Sequence, residues 1–476
     1  MDEFNYEKES SFKIKSDFKS LIYKLIKNII NNITLGIAFI VFFKKWIFVA
    51  AFIIFDILFI ILDWINEYLD IKDNEIIYHK GIIFKDSLII PKKSFKSMDI
   101  SQSFIEKLLR YSVVKIESPS KDLDIEDIKM SLNETQINIL KSFSRFDEAD
   151  DCILSEIDNN ENDINNRKER TVGIKNLLLY GITSFNLFIT LIFIFKFSDK
   201  LKDIIKYDYF GNVLEGSLNK FSLLLLFTGL IFFLIFLKCI ATIYYIIKYY
   251  NFTLINDGEN LNISYGLLNT KEFTFKSSSI KLIKLKSNPL RQLLGVYELN
   301  LIIKGYTGDD NEKILMYPIG SLDEINSIID EFIPNWSFTK DVEGIKYGKF
   351  NICMKPILLI LLISIIFYFI FNKSWILFIN LLSLVTLINS LLRIKNISIG
   401  FDNNKVKVTN GGLFKTIYIL NIKDIQAVEF KTNPIQERKN IGKIVINYYS
   451  ENSEEIKLSY MDKNYVKKLL TTVYTK

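Results

Sequence analysis

Six apolar stretches, each at or near the length a helix needs to cross a hydrocarbon layer, dominate this chain of 476 residues. A helix rises 1.5 Å per residue, so about 20 residues span a core about 30 Å thick. The stretches cover residues 21–43, 46–64, 177–195, 221–247, 356–371 and 375–392, and they arrive as three pairs. Only Lys44 and Lys45 separate the first two, and Asn372, Lys373 and Ser374 separate the last two. Backbone in lipid must satisfy its own hydrogen bonds, so each pair predicts a helical hairpin. Mean hydropathy of +0.19 alongside 24% charged residues fits a mosaic of very apolar and very polar blocks.

The polar N-terminus has no small-residue site closing its apolar region, which argues against a cleaved signal. Lys13, Lys15, Lys19, Lys24 and Lys27 precede or open the first stretch, and Arg167, Lys168, Arg170 and Lys175 precede the third. Lys44, Lys45 and the lysines at 196, 200, 202, 206 and 220 count the other way. The balance predicts both termini inside. Two crossings per pair place every large polar block on one side. A net charge of +6, from 60 basic and 54 acidic residues, is too balanced for a dedicated nucleic-acid binder. Three cysteines and 7 prolines in so apolar a chain exclude a disulfide-stapled or disordered class.

The polar block after each pair repeats. Residues 71–91, 254–273 and 399–418 each read as strand, Asp/Asn turn, strand, Gly turn, strand, with period-two alternation beside turn residues that tolerate left-handed backbone. The glycines are Gly81, Gly266 and the pair Gly411-Gly412. Downstream, Asn288-Pro289-Leu290-Arg291-Gln292-Leu293-Leu294-Gly295 corresponds to a third-copy segment from Asn433 and Pro434 to Gly442, and to a first-copy segment from Ser103 to Arg110. Spacings of 29 residues from Gly266 to Gly295 and 30 from Gly412 to Gly442 support the alignment. Each copy then predicts a closing helix. Ser131 with Glu134 and Ser321 with Glu324 read as capping boxes, and Asp462 reads as the third cap. Apolar residues at helical spacing follow each cap.

Strand–turn–strand with glycine, followed by Asn-Pro-Leu-Arg-x-Leu-x-Gly and another strand, resembles the bacterial pleckstrin-homology domain family, also called the membrane-flanked domain family. The resemblance covers the chain apart from its tails and a linker, and residues 288–295 carry it best. The first copy departs with Phe104 in place of Pro and Arg110 in place of Gly, and the third with Gln436 in place of Arg. What the resemblance implies is a seven-stranded, helix-capped fold and a scaffold-like role at the cytoplasmic membrane. Relatives in envelope stress and resistance to membrane-active peptides often sit beside a smaller one-domain partner.

Catalytic chemistry is sparse. His79 is the one histidine, two residues before a turn glycine, where a hairpin-surface role outweighs that of a base. Cys152, Cys239 and Cys353 form no C-x-x-C pair, and no phosphate-cradling glycine loop or H-E-x-x-H motif occurs. No enzyme activity and no cofactor or metal is expected. Two charges fall within apolar stretches, Asp56 and Lys238. A charge at midplane must face protein, water or a partner. These are candidate intramembrane polar contacts, set against a protonated interface Asp56 and a snorkelling Lys238. Lys92, Lys93 and Lys96, and at the equivalent place Lys281, Lys284 and Lys286, are candidate contacts to anionic lipid headgroups, set against a solvated strand face.

The sequence therefore predicts an α+β membrane protein with six transmembrane helices in three hairpins, each followed by a PH-like β-barrel or sandwich capped by a C-terminal helix. The division is tail 1–20, hairpin 21–65, domain 66–146, flexible linker 147–173, hairpin 174–248, domain 249–334, linker 335–354, hairpin 355–393 and domain 394–476. The expected setting is a bacterial cell membrane, with globular domains and termini cytoplasmic. The expected role is a non-enzymatic interaction scaffold, in resistance to, or export of, membrane-active peptides, with a transporter or channel component as alternative. Expected partners are membrane lipid and either a smaller PH-domain membrane protein or a second copy, not nucleic acid.

Overall fold

The computed structural model describes residues 12–43, 46–72, 74–95, 97–116, 128–145, 168–184, 220–258, 260–303, 313–340, 342–344, 348–371, 381–402, 404–448 and 455–474. The expected tether over 147–166 lies outside them. The chain divides into two compact units, one of residues 1–170 with 252–279 and one of residues 171–251 with 280–476.

Three copies of one strand plan account for the β-structure. The first has β1 (Phe12–Lys15), β2 (Tyr68–Lys72), β3 (Glu75–Lys80) and β4 (Asp86–Pro91), then β5 (Ser97–Gln102), β6 (Ser112–Ile116) and β7 (Ile128–Leu132). The second has β8 (Lys168–Thr171), β9 (Thr253–Asn256), β10 (Asn260–Tyr265) and β11 (Thr270–Lys276), then β12 (Ile280–Ser287), β13 (Val296–Ile303) and β14 (Ile314–Ser321). The third has β15 (Glu343–Gly344), β16 (Ser398–Asp402), β17 (Lys405–Asn410) and β18 (Lys415–Asn421), then β19 (Ile425–Lys431), β20 (Ile441–Tyr448) and β21 (Glu455–Asp462). Each copy is a four-strand antiparallel meander, a 3₁₀ turn, and a three-strand antiparallel meander.

This corrects the expected division. The first strand of each copy precedes the helical pair, so β1, β8 and β15 fall in segments read from sequence as tail and linkers. Phe12 lies opposite Ile71 and Lys15 opposite Tyr68, across the whole inserted pair of helices. At four residues or fewer, these strands are too short for period-two alternation to register.

The helical insertions are partly described. Phe18–Phe43 and Trp46–Asn66 are helices of 26 and 21 residues, and Lys220–Lys248 has 29. Among the described residues one helix, over Lys349–Phe369, passes as long and apolar enough to cross a membrane, and only 11% of its most apolar window is buried. The third expected stretch is described only to Ser184, and the sixth from Leu381. The six-span count therefore stays an expectation.

In the first unit one core joins both meanders of the first copy to its closing helix, Glu134–Arg145: Ile14, Leu69, Ile76 and Ile90 meet Met98, Val114, Ile128, Ile137 and Leu140. Ile14, from the strand before the helices, is part of it. In the second unit Ile399, Val406, Ile444, Leu458 and Val466 build the core of the third copy. Fully burying such aliphatic side chains stabilises a fold by about 1.5–3 kcal/mol each.

Two local readings change. Ser131 lies within β7, and the first closing helix is capped by Asn133, whose Oδ1 accepts from the Gln136 N–H at 2.9 Å while Gln136 accepts from the Asn133 N–H at 3.0 Å. The box is real but lies two residues later. Ser321 and Asp462 do cap, accepting from the Glu324 and Asn464 N–H groups at 3.2 and 2.9 Å.

Left-handed residues also realign the repeat. Among them are the turn glycines Gly81, Gly266 and Gly411 and, 29 residues beyond each, Arg110, Gly295 and Asn440. The sequence pairing of Gly412 with Gly442 is one residue off at one end and two at the other. Gly442 lies in β20, where a Cβ would strike the Phe430 ring.

Left-handed backbone costs a residue bearing a Cβ about 1–2 kcal/mol, less for Asn, and glycine's larger unfolded-state entropy returns part of it. Arg110→Gly should therefore raise stability by about 0.5–1 kcal/mol, and Asn440→Gly by less. Thermal melts of the detergent-solubilised chain measure this. A destabilised Arg110→Gly would show that the arginine side chain contributes more than its backbone costs.

Candidate functional site

Edge strands expose unpaired N–H and C=O groups, and the chain closes two such edges internally. In the first unit β5, the fifth strand of copy one, pairs antiparallel with β11, the fourth strand of copy two, from Ser97 opposite Phe275 to Gln102 opposite Thr270. In the second unit β12 pairs antiparallel with β18, from Leu282 opposite Leu420 to Ser287 opposite Lys415. Each pairing fuses a three-strand and a four-strand meander into a seven-strand sheet, in the orders β7-β6-β5-β11-β10-β9-β8 and β14-β13-β12-β18-β17-β16-β15.

The short helix after the fifth strand locks each seam. In the first unit the Phe104 N–H donates to Asn269 Oδ1 at 3.0 Å, and Lys107 Nζ to the Leu267 carbonyl at 3.2 Å. In the second, Gln292 Nε2 donates to the Gly412 and Leu413 carbonyls at 2.9 and 2.6 Å. Lys141 pairs with Glu272 at 2.6 Å across the first seam, and Lys281 with Asp424 at 2.7 Å across the second.

The arginine of the Asn-Pro-Leu-Arg motif joins the inserted helices to the second sheet. Asn288 caps the helix Pro289–Leu294, and Arg291 stands on its first turn, 4% exposed. Its Nη1 donates to Glu298 Oε2 at 2.6 Å and its Nε to Thr183 Oγ1 at 3.2 Å, while the guanidinium lies 4.5 Å from the centre of the Tyr180 ring. Burial disfavours both charges. The guanidinium nevertheless holds the Glu298 carboxyl below its ordinary range, and Glu298 keeps Arg291 above its own.

At the corresponding place in the first unit the residue is Glu106, which accepts from the Ser103 N–H at 2.7 Å. The Arg291–Glu298 pair has no counterpart there, since Glu106 stands at the place of Arg291 and Val113 at the place of Glu298. Instead a cleft of about 470 Å³ opens between the first turns of helix Phe18–Phe43 and the seam. Lys24, Lys27, Lys129 and Lys271 line it with Tyr23, Tyr111 and Glu106. Lys24 also pairs with Glu67 at 3.6 Å. Burial, then the Glu106 carboxylate, raises the Tyr111 phenol above its usual value, which keeps it a neutral donor. Lysines outnumber carboxylates in this lining, which suits the cleft to an anionic group.

The residues singled out from sequence fall in three places. Asp56 accepts from the side-chain amides of Asn28 at 2.7 Å and Asn32 at 3.1 Å, residues one turn apart on the preceding helix, so it makes an inter-helix polar contact. That asparagine pair is an i,i+4 signal in the sequence that could have pointed to the contact. Lys238 donates to the Ser184 carbonyl and approaches its hydroxyl at 3.5 Å.

In the second lysine cluster the headgroup reading is corrected at Lys284, which is buried. Lys281 is taken by Asp424, Lys284 is 6% exposed with its ammonium 5.3 Å from the Tyr418 ring, and Lys286 lies opposite Thr416 in the seam. Strand pairing between copies, invisible in a single strand's pattern, buries Lys284 and leaves Lys281 and Lys286 half-buried. Lys92 Nζ sits 5.5 Å from the Phe143 ring. The Lys93 side chain and all of Lys96 lie outside the described residues. His79 stacks on Tyr68 across the β2–β3 ladder, ring centres 4.5 Å apart.

A family model described as bacterial PH domain matches residues 30–142, 209–332 and 356–476. Each match starts after the strand that precedes its helical pair. The UPF0699 transmembrane protein YdbT of Bacillus subtilis (strain 168) is 20% identical over 422 residues, covering 85% of this chain and 81% of that protein. No solved structure matches.

Removing one partner of a buried pair costs about 3–5 kcal/mol, so Arg291→Met should destabilise the chain by that order at pH 7. The depressed Glu298 carboxyl sets the sign of the pH dependence. Its stabilisation is complete above the ordinary value near 4.5 and drains as pH falls through the lower folded value. The gap between wild type and Arg291→Met should thus narrow below about pH 4.5, and Glu298→Gln should show a flatter acid limb. Melts across pH 3–7 check both signs.

Proposed function

The chain belongs to the bacterial PH domain family, and on that premise we propose that it is a non-enzymatic membrane scaffold whose three PH-like modules assemble by strand pairing on one side of the bilayer. The observation that carries this is the pair of seams, because the same two strand positions are joined in both units. The exposed apolar helix Lys349–Phe369 and the helical pairs inserted after β1, β8 and β15 support a multi-pass chain with cytoplasmic modules. A curated relative's description as a transmembrane protein points the same way. Within this reading the scaffold protects the envelope against membrane-active peptides or assists their export, and the lysine-lined cleft receives an anionic headgroup phosphate where the first helix enters the bilayer.

A transporter component is the second reading, and Asp56 with its two asparagines is the observation behind it. Coupled transport uses polar groups converging near midplane, and a lone carboxylate held by two amides is better suited to fixing helix against helix. Interhelical hydrogen bonds in membranes average about 0.6 kcal/mol, so Asp56→Leu should weaken the helical pair modestly while Asp56→Asn leaves it intact.

Topology fixes the first test. Reporter fusions after Glu106, Lys304 and Lys476 should all report the cytoplasm, and one reporting the outside would overturn the hairpin plan. Purified chain in proteoliposomes should move neither ions nor peptides, and flux abolished by Asp56→Asn would instead establish the transporter. Loss of the gene should raise sensitivity to cationic membrane-active peptides, measured as growth inhibition.

A further inference from the structure

Both internal seams use one register. Counted from the turn glycines, Phe275 and Leu420 lie nine residues beyond Gly266 and Gly411, and their partners Ser97 and Leu282 lie sixteen beyond Gly81 and Gly266. A fifth strand therefore meets the fourth strand of the next copy in the same alignment both times. Two strands of these types are left at sheet edges. β4 ends the order β1-β2-β3-β4, and β19 ends the order β19-β20-β21.

The geometry points to a head-to-tail interface between two copies of this chain, in which β4 of one molecule pairs antiparallel with β19 of another in the register of the internal seams. That register sets Ile90 opposite Ala427, Ile89 opposite Val428, Leu88 opposite Glu429, Ser87 opposite Phe430 and Asp86 opposite Lys431. Three observations select a second copy as the occupant.

The first is continuity, since the chain makes this junction twice with itself. The second is charge. The corresponding positions are Lys271 opposite Ser101 and Thr416 opposite Lys286, so neither internal seam has an opposite-charge pair there, and the outer edges alone offer Asp86 and Lys431. The third is exposure. Leu282, Ile283, Lys284 and Leu285 are buried in the second seam, whereas none of their counterparts Ala427, Val428, Glu429 and Phe430 is. Ile89 is 53% exposed on β4, and Ile83 and Phe84, in the turn before it, are 81% and 83% exposed, against 46% for Leu268 and 57% for Phe414 at the corresponding positions beside the internal seams.

Two features make the outer junction weaker than the inner ones. Pro434 stands where Phe104 donates its N–H, and Glu437, which has no proton to give when ionised, stands where Lys107 and Gln292 donate. The outer junction lacks the helix-to-turn hydrogen bonds and is reversible with concentration. Pro91 does not obstruct it, because the internal pairings stop at the positions equivalent to Ile90.

The inference deepens the scaffold reading and rests on it, but a separate measurement decides it. Full-length chain in mild detergent should show mass rising with concentration by light scattering. Asp86→Lys alone and Lys431→Glu alone should each weaken self-association about fivefold to tenfold, since each places like charges opposite one another. An equimolar mixture of the two variants should recover it, because the Asp86→Lys edge of one molecule meets the Lys431→Glu edge of the other as an opposite-charge pair with its signs reversed, and the second junction of that pair is native. Melting temperatures unchanged by the substitutions show that both variants fold. A wild type that stays monomeric, or variants whose mixture does not recover, overturns the interface and assigns the two charges to edge protection. The reporter fusions would still stand in that case, so the two failures are distinguishable.

Discussion

The hydrogen-bonding demand of strand edges governs this architecture. A four-strand and a three-strand meander each have two flanks, and an unpaired flank beside a membrane invites wrong partners. The chain meets that demand by placing the fifth strand of one copy on the fourth strand of the next. Each of the two units therefore contains parts of more than one copy, and a seven-strand sheet crosses each copy boundary. Cutting the sequence at its linkers would sever those sheets through their middle ladders.

The same antiparallel logic explains how helical pairs sit inside the β-modules. β1 and β2 are adjacent and antiparallel, so the connection between them must leave and return at one level. A two-residue turn does this, and so does a helical hairpin of any length, whose ends lie side by side. Insertion between the first and second strands thus needs no change in the sheet. Ile14 packs in the first core and Arg291 binds Thr183 beside the second insertion, so helices and sheets are joined by side chains as well as by the backbone.

Much of this was legible. Three copies, three closing helices and the turn glycines could be read because glycine at positive φ and capping side chains are local requirements. Four things were not. β15 is a two-residue strand paired with β16, defined by its partner and not by its own pattern. Arg110 adopts φ of 60° without being glycine, so an alignment tied to glycine misplaces the left-handed residue of the third copy, which is Asn440. The lysines of β12 look like a solvated face in isolation. The burial of Lys284 follows from a ladder with β18, whose residues lie more than a hundred positions away. The cleft was hidden for the same reason, since its walls come from the first helix, the region after β5 and the turn before β11.

The copies share a plan but differ in chemistry at one decisive position. On the helix after the fifth strand, Arg291 fills its space with a buried ion pair to Glu298, whereas Glu106 turns back on its own helix to the Ser103 N–H. Val113 stands where Glu298 would be. A carboxylate in place of the arginine, with no acidic partner opposite, would leave a buried space unfilled if the neighbouring residues were apolar. They include lysines and tyrosines, and the space is open to solvent, so their polar groups keep their contact with water. The first copy therefore has a polar cleft at the foot of its first helix where the second has a structural bolt, and a repeat that keeps its strand order can alter the chemistry of that one site without changing what holds its sheets together.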